Sequence, residues 1–190
     1  MNKEIDISKV TLNTERLVLR PWRQTDLHDF YEYASVDGVG QMAGWLPHES
    51  IETTQMILDS FITQKKTFAL EYEGKVIGSL GIESYKEDEF PELDLHCGRS
   101  IGYVLSKDYW GRGLMPEAVK AVILYLFKVE KLDFLIISHY AFNSQSRRVI
   151  EKCGFTYIKT IELQTRYDTV EPTLVYILYN PERRKEDADT

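Results

Sequence analysis

The sequence predicts one α/β (α+β) domain in which helices flank a mixed, mostly antiparallel central sheet. Its 190 residues, 43% of them hydrophobic, suffice for one sizeable core but leave little room for two. Stretches that alternate apolar and polar residues are interleaved with stretches of helical period, and a hairpin signal stands at residues 73–74. We expect the domain to span residues 14–180, between a flexible N-terminal segment, 1–13, and a charged C-terminal tail, 181–190.

The first half of the domain predicts a strand, two helices and a β-hairpin. Residues 16–22 alternate apolar and polar side chains, as a half-buried strand does. Two segments of helical period follow, the first with Thr25 as a candidate N-cap and the second with Ser50 in that position. Glu73 and Gly74 then join two strands, because glycine suits the tight turn of a hairpin.

The second half predicts strands that alternate with helices. The helix expected over residues 117–128 is apolar nearly all round, so other elements should cover it. The strand expected over 134–140 is continuously apolar, as in a sheet interior, and the short helix after it ends at Gly154. The remaining predicted strands are residues 100–106, 156–163 and 173–179.

The composition excludes several classes of function. The net charge of -7, from 23 basic and 30 acidic residues, argues against stable nucleic-acid binding and suits a positively charged partner such as an amine. The apolar runs are too short to span a bilayer and the first residues lack a signal-peptide pattern, so we expect a cytoplasmic protein without a membrane partner. Cys97, Cys153 and the four histidines have no metal-ligand spacing, so no metal is predicted. Both a monomer and a homodimer fit the sequence.

A loop with two glycines, in YWGRGLMPEAV at residues 109–119, connects a strand to a helix. Gly111 and Gly113 allow backbone conformations that a Cβ would hinder, and the first N–H groups of a helix have no intrahelical acceptor. Such N–H groups favour an anion, to which Arg112 could add a charge-assisted hydrogen bond. The residues after the second glycine exclude a P-loop, and the dinucleotide fingerprint lacks its third glycine. The alternatives are an anion site and a tight turn that binds nothing.

Three segments resemble motifs of the GCN5-related N-acetyltransferase (GNAT) superfamily. IGYVLSKDYWGRGLMPEAVKAVI, residues 101–123, is similar to the strand, loop and helix with which that family binds a pyrophosphate. NSQSRRVIEKCGF, residues 143–155, is similar to the family's next motif, with an asparagine, a small residue three positions on and a final Gly-Phe. Together with TERLVLRPWRQTD, residues 14–26, they look like the ribosomal-protein N-acetyltransferase (RimJ/RimL-like) branch. The resemblance covers residues 14–180 and implies the GNAT fold.

The resemblance implies that the chain binds acetyl-CoA and releases CoA. In that family the strand before the loop binds the pantetheine arm through its backbone, and the loop amides bind the pyrophosphate. Asn143 and Ser146 match positions near the pantetheine arm and the thiol. Trp110 stands where arginine or glutamine is common, and we expect it to pack under the turn. The other residues that inherit cofactor contacts are Tyr103, Val104, Leu105, Gly111, Arg112, Gly113, Leu114 and Met115.

The resemblance also implies that a primary amine attacks acetyl-CoA directly, without an acetyl-enzyme. Ser146 and Asn143 are implied as catalytic side chains, and Asn143 is also a candidate N-cap of the following helix. Ser146 is implied beside the departing thiolate, as its hydrogen-bond or proton donor, and the conjugate acid of that thiolate has a pKa of about 8.5; the alternative is a surface hydroxyl that only contacts CoA. Many GNAT enzymes carry a tyrosine acid four residues further on, where this chain has Ile150. Glu83 matches a carboxylate that takes the proton of the amine, directly or through water; the alternative is a solvent-facing strand glutamate.

Three functional hypotheses remain open. The first is acetylation of a primary amine, including a protein N-terminal amine. The second is a non-catalytic module that binds acyl-CoA, and the third is acetylation of a small antibiotic or polyamine. The family builds the acceptor walls from variable segments, here residues 24–64 and 85–98, so the sequence does not identify the acceptor.

Overall fold

The computed structural model describes residues 1–182, which form eight strands and four α-helices. No helix within this range is long and apolar enough to cross a membrane. The helices are α1 Leu27–Ala34, α2 Ile51–Gln64, α3 Leu114–Lys128 and α4 Ser144–Lys152. The strands are β1 Leu12–Asn13, β2 Leu17–Pro21, β3 Thr67–Tyr72, β4 Lys75–Glu83, β5 Gly98–Leu105, β6 Phe134–Tyr140, β7 Thr156–Gln164 and β8 Val170–Tyr179.

All eight strands belong to one mixed sheet, in the order β1-β2-β3-β4-β5-β6-β8-β7. Only β5 and β6 run parallel, and every other neighbouring pair is antiparallel. The hairpin of β3 and β4 turns at Glu73 and Gly74, whose φ angles of 50° and 82° are both left-handed. The predicted fold class, a mixed and mostly antiparallel sheet flanked by helices, is confirmed.

Helices cover both faces of the sheet. Alternate side chains of β4 and β5, including Ile82, Ile101 and Tyr103, pack into the main core together with α3 and α4. Val104 points to the other face and packs with the cluster around α1 and α2, where Leu58 is fully buried. The centre of the sheet is therefore a boundary between two apolar layers.

The parallel pair β5 and β6 separates along its length. Their register joins only Gly98 to Phe134, Arg99 to Leu135 and Ser100 to Ile136. Beyond Ser100 no described strand pairs with β5 on that side, although β5 lies in the middle of the sheet. The two strands therefore form the walls of a cleft in the sheet.

The structure differs from the sequence-based expectation at the chain ends. The segment 1–13, predicted to be flexible, packs on the domain: the side chains of Ile5 and Ile7 are buried in the main core, and Ile7 N–H donates to the carbonyl of Lys65 at 2.8 Å. Hydrogen bonds at the start of the segment, including that from Asn2 Nδ2 to the carbonyl of Tyr85 at 2.8 Å, add to this burial. Most of the tail predicted over 181–190 lies outside the described residues.

Two helix starts also differ. Helix α3 begins at Leu114, three residues earlier than expected, because Gly113 serves as its N-cap and Pro116 is accommodated in the first turn. Thr25 lies in a short 3-10 helix, and Asp26 rather than Thr25 precedes α1. Ser50 caps α2 as predicted, since its Oγ accepts from Thr53 N–H at 3.3 Å.

Candidate active site

The cleft between β5 and β6 is a cavity of about 480 Å³. Its walls are the two strands beyond the point where they separate, and its ends are formed by the loop before α3 and by the first turns of α4. Ten of the residues predicted for the site line it: Glu83, Tyr103, Val104, Leu105, Gly111, Gly113, Leu114, Met115, Asn143 and Ser146. The backbone of β5 beyond Ser100 faces this space, which is the arrangement expected for contacts to a pantetheine arm.

The glycine loop has the geometry of an anion site. Gly111 and Gly113 have φ angles of 75° and 76°, in the left-handed region that favours glycine. The backbone N–H groups of residues 111–115 have no acceptor within residues 1–182. The side chains of Leu114 and Met115 are buried in the core, so only their backbone faces the cleft. Five unpaired N–H groups at a helix N-terminus can hold a diphosphate.

Aromatic contacts fix the loop. Trp110 packs at the edge of the cluster around α1 and α2, and its indole N–H donates to the carbonyl of Leu105 at 2.8 Å. Arg112 lies over the rings of Tyr72 and Tyr109, with its guanidinium carbon 5.0 and 5.2 Å from their centroids, and donates to the Tyr72 hydroxyl at 2.9 Å. The aromatic rings thus hold the guanidinium of Arg112 beside the loop, and its bond to phosphate stays a prediction.

Glu117, in the first turn of α3, joins this helix to the turn between β1 and β2. Its Oε1 accepts from the Thr14 hydroxyl at 2.6 Å and from Arg16 N–H at 2.8 Å, and its Oε2 forms an ion pair with Arg16 at 2.7 Å. Burial alone would raise the pKa of Glu117, but these hydrogen bonds outweigh it and hold the pKa below its ordinary value. The motif at residues 14–26 thereby supports the loop that precedes α3.

Ser146 lies at the α4 side of the cleft and is buried. Its Oγ is 2.8 Å from the hydroxyl of Tyr103, which is also 3.3 Å from the Ser146 carbonyl oxygen. Burial raises the pKa of Tyr103, and the hydrogen bond with Ser146 only partly offsets this, so the tyrosine stays protonated at neutral pH. Ser146 thus pairs its hydroxyl with that of Tyr103, a half-buried side chain.

Asn143 caps α4 and also contacts the segment over the cleft. Its Oδ1 accepts from Ser146 N–H at 3.0 Å, and its Nδ2 donates to the carbonyl of Met42 at 3.1 Å. Met42 belongs to a 3-10 helix, Gly40–Ala43, that packs over β5 and β6. The side chain of Asn143 therefore positions both Ser146 and one wall of the cleft, in addition to any contact with a cofactor.

Glu83 lies on the opposite face of the sheet from Ser146. It pairs with Ser100, and side chains of a strand alternate between faces, so Glu83 is directed away from the α3 and α4 layer that contains Tyr103. Its side chain is 47% exposed, and its Oε2 forms an ion pair with Lys66 at 2.5 Å. The two candidate catalytic side chains thus approach the cleft from different faces.

The structure adds residues that were not predicted for the site. Arg148 and Lys152, on α4, line the cleft, whereas Arg147 forms an exposed ion pair with Glu151.

His139, on β6, also lines the cleft, but its Nδ1 donates to the carbonyl of Tyr140 at 2.8 Å and its Nε2 is 3.1 Å from the Tyr176 hydroxyl. A side chain with both nitrogens engaged is less available for proton transfer than Glu83 is.

Two parts of the chain form the side of the cleft that is expected to receive the acceptor: residues 39–44, and the last two strands with the turn between them. The cleft is lined there by Val39, Met42 and Ala43, from the variable segment 24–64, and none of its lining residues comes from the other predicted segment, 85–98. Residues 40–44 also contact the turn between β7 and β8, where Arg166 N–H donates to the carbonyl of Gly44 at 2.9 Å. The late strands were not predicted to contribute, because their position beside β6 depends on long-range sheet pairing.

Comparison with known families gives one match over most of the chain. Residues 16–156 match the model of the acetyltransferase (GNAT) domain. Among relatives, the uncharacterized N-acetyltransferase YoaA of Bacillus subtilis (strain 168) is 26% identical over 158 residues, which cover 76% of this chain and 81% of that protein. The uncharacterized N-acetyltransferase p20 of Bacillus licheniformis is 29% identical over 153 residues, which cover 76% and 82%.

Solved structures share the fold. An acetyltransferase of the GNAT family from Bacillus anthracis has a TM-score of 0.79 at 22% identity, covering 90% of this chain and 99% of that one. The ribosomal-protein-S5-alanine acetyltransferase of Vibrio fischeri has a TM-score of 0.70 at 21% identity, covering 92% and 98%. The microcin C7 self-immunity acetyltransferase MccE, solved with acetyl-CoA and AMP, has a TM-score of 0.72 at 15% identity, covering 87% and 93%.

Proposed function

The chain belongs to the GNAT family of acetyltransferases, which use acetyl-CoA, and we propose that it acetylates a primary amine by direct attack on that thioester. The observation that carries this proposal is the cleft between β5 and β6, with unpaired loop amides at one end and polar side chains on both faces. The residues fit the cofactor: residues 111–115 would bind the diphosphate, the open edge of β5 the pantetheine arm, and the region of Ser146 the sulfur.

The arrangement supports a one-step transfer. An amine entering from the face of Glu83 attacks the carbonyl carbon, the C–S bond breaks, and its electron pair stays on sulfur. Ser146 would then donate a hydrogen bond to the thiolate from the other face. The amine and the CoA thiolate occupy different sides of the cleft, so the amine can attack the thioester directly. The reaction then needs no covalent intermediate on the protein.

Glu83 is our candidate for the group that accepts the proton of the amine. Its Oε2 is paired with Lys66, while its Oε1 is available to the acceptor or to a water between them. The ion pair with Lys66 fixes the carboxylate at the edge of the cleft. The carboxylate is exposed, so transfer through one water fits this site as well as direct contact does.

We infer that an α-amino group, at a protein N-terminus, is the preferred acceptor. An α-amine has a pKa of about 7.7–8.0 and a lysine amine about 10.4, so making the lysine neutral costs about 3 kcal/mol more. The α-amine is therefore the less demanding acceptor for any base at this site. The likeness to the alanine acetyltransferase of Vibrio fischeri is in keeping with this choice.

A small amine is the second candidate. The wall over the acceptor side is tied down at two points, since the Tyr167 hydroxyl donates to the carbonyl of Gln41 at 3.4 Å and Arg166 N–H to that of Gly44. A wall held in place favours a small, preformed acceptor site, which suits a polyamine or the amine of an antibiotic as well as a chain terminus.

A panel of acceptors tests the proposal. The chain is incubated with acetyl-CoA and either N-terminal peptides of ribosomal proteins, matched peptides with a blocked N-terminus, polyamines or aminoglycosides, and free CoA is measured. We expect CoA release with free-terminus peptides and little with the blocked ones. Turnover confined to small amines would replace the first acceptor by the second, and binding of acetyl-CoA without turnover across the panel would favour the non-catalytic module.

A further inference from the structure

The hydroxyl of Tyr103 is the nearest polar partner that the structure gives to the Ser146 side chain. Tyr103 lies on β5 and Ser146 in the first turn of α4, so the pair connects a wall of the cleft to the helix at its end. The ring of Tyr103 packs at the edge of the main core. Ile150, one turn further along α4, is fully buried and apolar, so that position supplies no hydroxyl.

The geometry lets the tyrosine donate to the serine. The Tyr103 hydroxyl lies 2.8 Å from Ser146 Oγ, where either oxygen can be the donor, and 3.3 Å from the Ser146 carbonyl oxygen, which only accepts. When Tyr103 donates to Oγ, the single proton of the serine is free to rotate into the cleft.

We propose that Tyr103 is a positioning residue that donates to Ser146 Oγ and so directs the serine proton to the sulfur of CoA. This inference rests on the proposed function of the same cleft. As the C–S bond breaks, its electron pair goes to sulfur and the proton of the amine goes to Glu83 or water. Tyr103 and Ser146 keep their own protons, since the thiolate needs only a hydrogen bond.

Burial makes such a chain of hydroxyls effective. Hydrogen bonds in a low-dielectric interior polarise one another, so a donor behind Ser146 strengthens the bond that the serine makes in front. The raised pKa of Tyr103 keeps its proton in place over the pH range in which the thiol ionises. A merely structural bond between β5 and α4 would leave the ionisation of bound CoA unchanged, which separates the two roles.

Titration of the thiol of bound CoA tests the inference without an acceptor amine. Thiolate absorbance is followed against pH, using the complex with desulfo-CoA as the spectral blank, for the wild type, Y103F, S146A and the double variant. We expect the thiol pKa to rise by about one in S146A, because the thiolate loses a hydrogen bond to its charge. In Y103F we expect about half of that rise, because the serine keeps its bond to sulfur but loses the donor behind it. The double variant should match S146A. Y125F is the control, because the Tyr125 hydroxyl bonds Glu130 at 2.6 Å and does not line the cleft.

Each result decides a separate point. If S146A raises the thiol pKa and Y103F does not, or if the two effects add in the double variant, Tyr103 does not act through Ser146 and the inference is overturned while the proposed function stands. If calorimetry finds no binding of CoA by the wild type, the proposed function is overturned as well. Should Y103F fail to fold, 3-fluorotyrosine at position 103, a stronger donor, must lower the thiol pKa; an unchanged value would overturn the inference.

Discussion

At the scale of single residues, the two side chains proposed for the chemistry reach the cleft from opposite faces of the sheet. Ser146 is buried in the first turn of α4, and Glu83 is half exposed on the other face. The resemblance named both residues and both line the cleft, while their roles stay predictions. The hydroxyl of Tyr103 was not predicted, although a tyrosine on the buried face of a strand must find a polar partner, because the sequence does not tell which residue of α4 would face it.

Ser146→Ala should lower kcat for acetyl transfer by about tenfold or more while leaving the affinity for CoA within about twofold. The reason is that its hydrogen bond forms fully only with the charged sulfur, and one such bond contributes about 1.5–3 kcal/mol. Ser144→Ala is the matched control, since Ser144 is exposed in the same helical turn. Equal kcat in the wild type and S146A would remove Ser146 from the chemistry.

Glu83→Gln should move the rising limb of the profile of kcat/KM against pH to higher values. Without the carboxylate, the amine has to lose its proton to solution before it reacts, so more of it must be neutral in advance. Lys66→Met is the control, because it breaks the same ion pair but keeps the carboxylate. The rising limb of its kcat/KM profile should therefore lie at lower pH than that of E83Q. Superimposable profiles for the wild type and E83Q would exclude Glu83 as the base.

At the scale of elements, the loop that connects β5 to α3 depends on glycines with left-handed backbone angles. Gly111→Ala and Gly74→Ala each place a Cβ at a left-handed residue, with φ of 75° and 82° and no other atom within 4 Å of that Cβ. Both should lower the free energy of unfolding by about 1–2 kcal/mol. Only G111A should also weaken CoA binding, by about tenfold, through a displaced loop amide. Equal CoA affinity in the two variants, measured by calorimetry, would argue against an anion site at this loop.

Glu117→Gln should destabilise the protein by about 1–2 kcal/mol at pH 7, because it removes a charged acceptor shared by Thr14 and Arg16. The pKa of Glu117 is lowered from 4.5 on folding, so its stabilisation is complete above that value and is lost as the pH falls through the lower folded value. Denaturant unfolding of the wild type and E117Q at pH 7 and pH 3 measures this loss of stability. E151Q is the control, because Glu151 forms only an exposed ion pair, and its free energy of unfolding should fall by about 0.5 kcal/mol or less. A penalty for E117Q that does not shrink in acid would contradict the assignment.

The elements themselves were largely predictable. The hairpin at Glu73 and Gly74, the cap at Ser50 and the continuous strand Phe134–Tyr140 follow from local signals that the structure confirms. The packing of Ile5 and Ile7 was not, because it depends on what the rest of the chain offers as a partner, and the start of α3 was placed three residues late although Gly113 and Pro116 are local signals. The end of a helix and the fate of a terminal segment are decided by tertiary contacts more than by local preference.

At the scale of the whole molecule, the cleft exists because β5 and β6 pair over three residues only and then separate. The separation was not predicted, because neither strand's sequence marks the point at which it loses its partner. The resemblance of the motifs named residues that line the cleft, whereas the wall formed by residues 40–44 arises from contacts with the turn before β8, which join distant parts of the chain.

A crystal structure of the protein with CoA tests the central claim most directly. We predict that the cofactor lies between β5 and β6, that its diphosphate oxygens accept from backbone N–H groups of residues 111–115, and that its sulfur lies within hydrogen-bond distance of Ser146 Oγ. A cofactor bound elsewhere, or a diphosphate that makes no contact with those amides, would contradict the account.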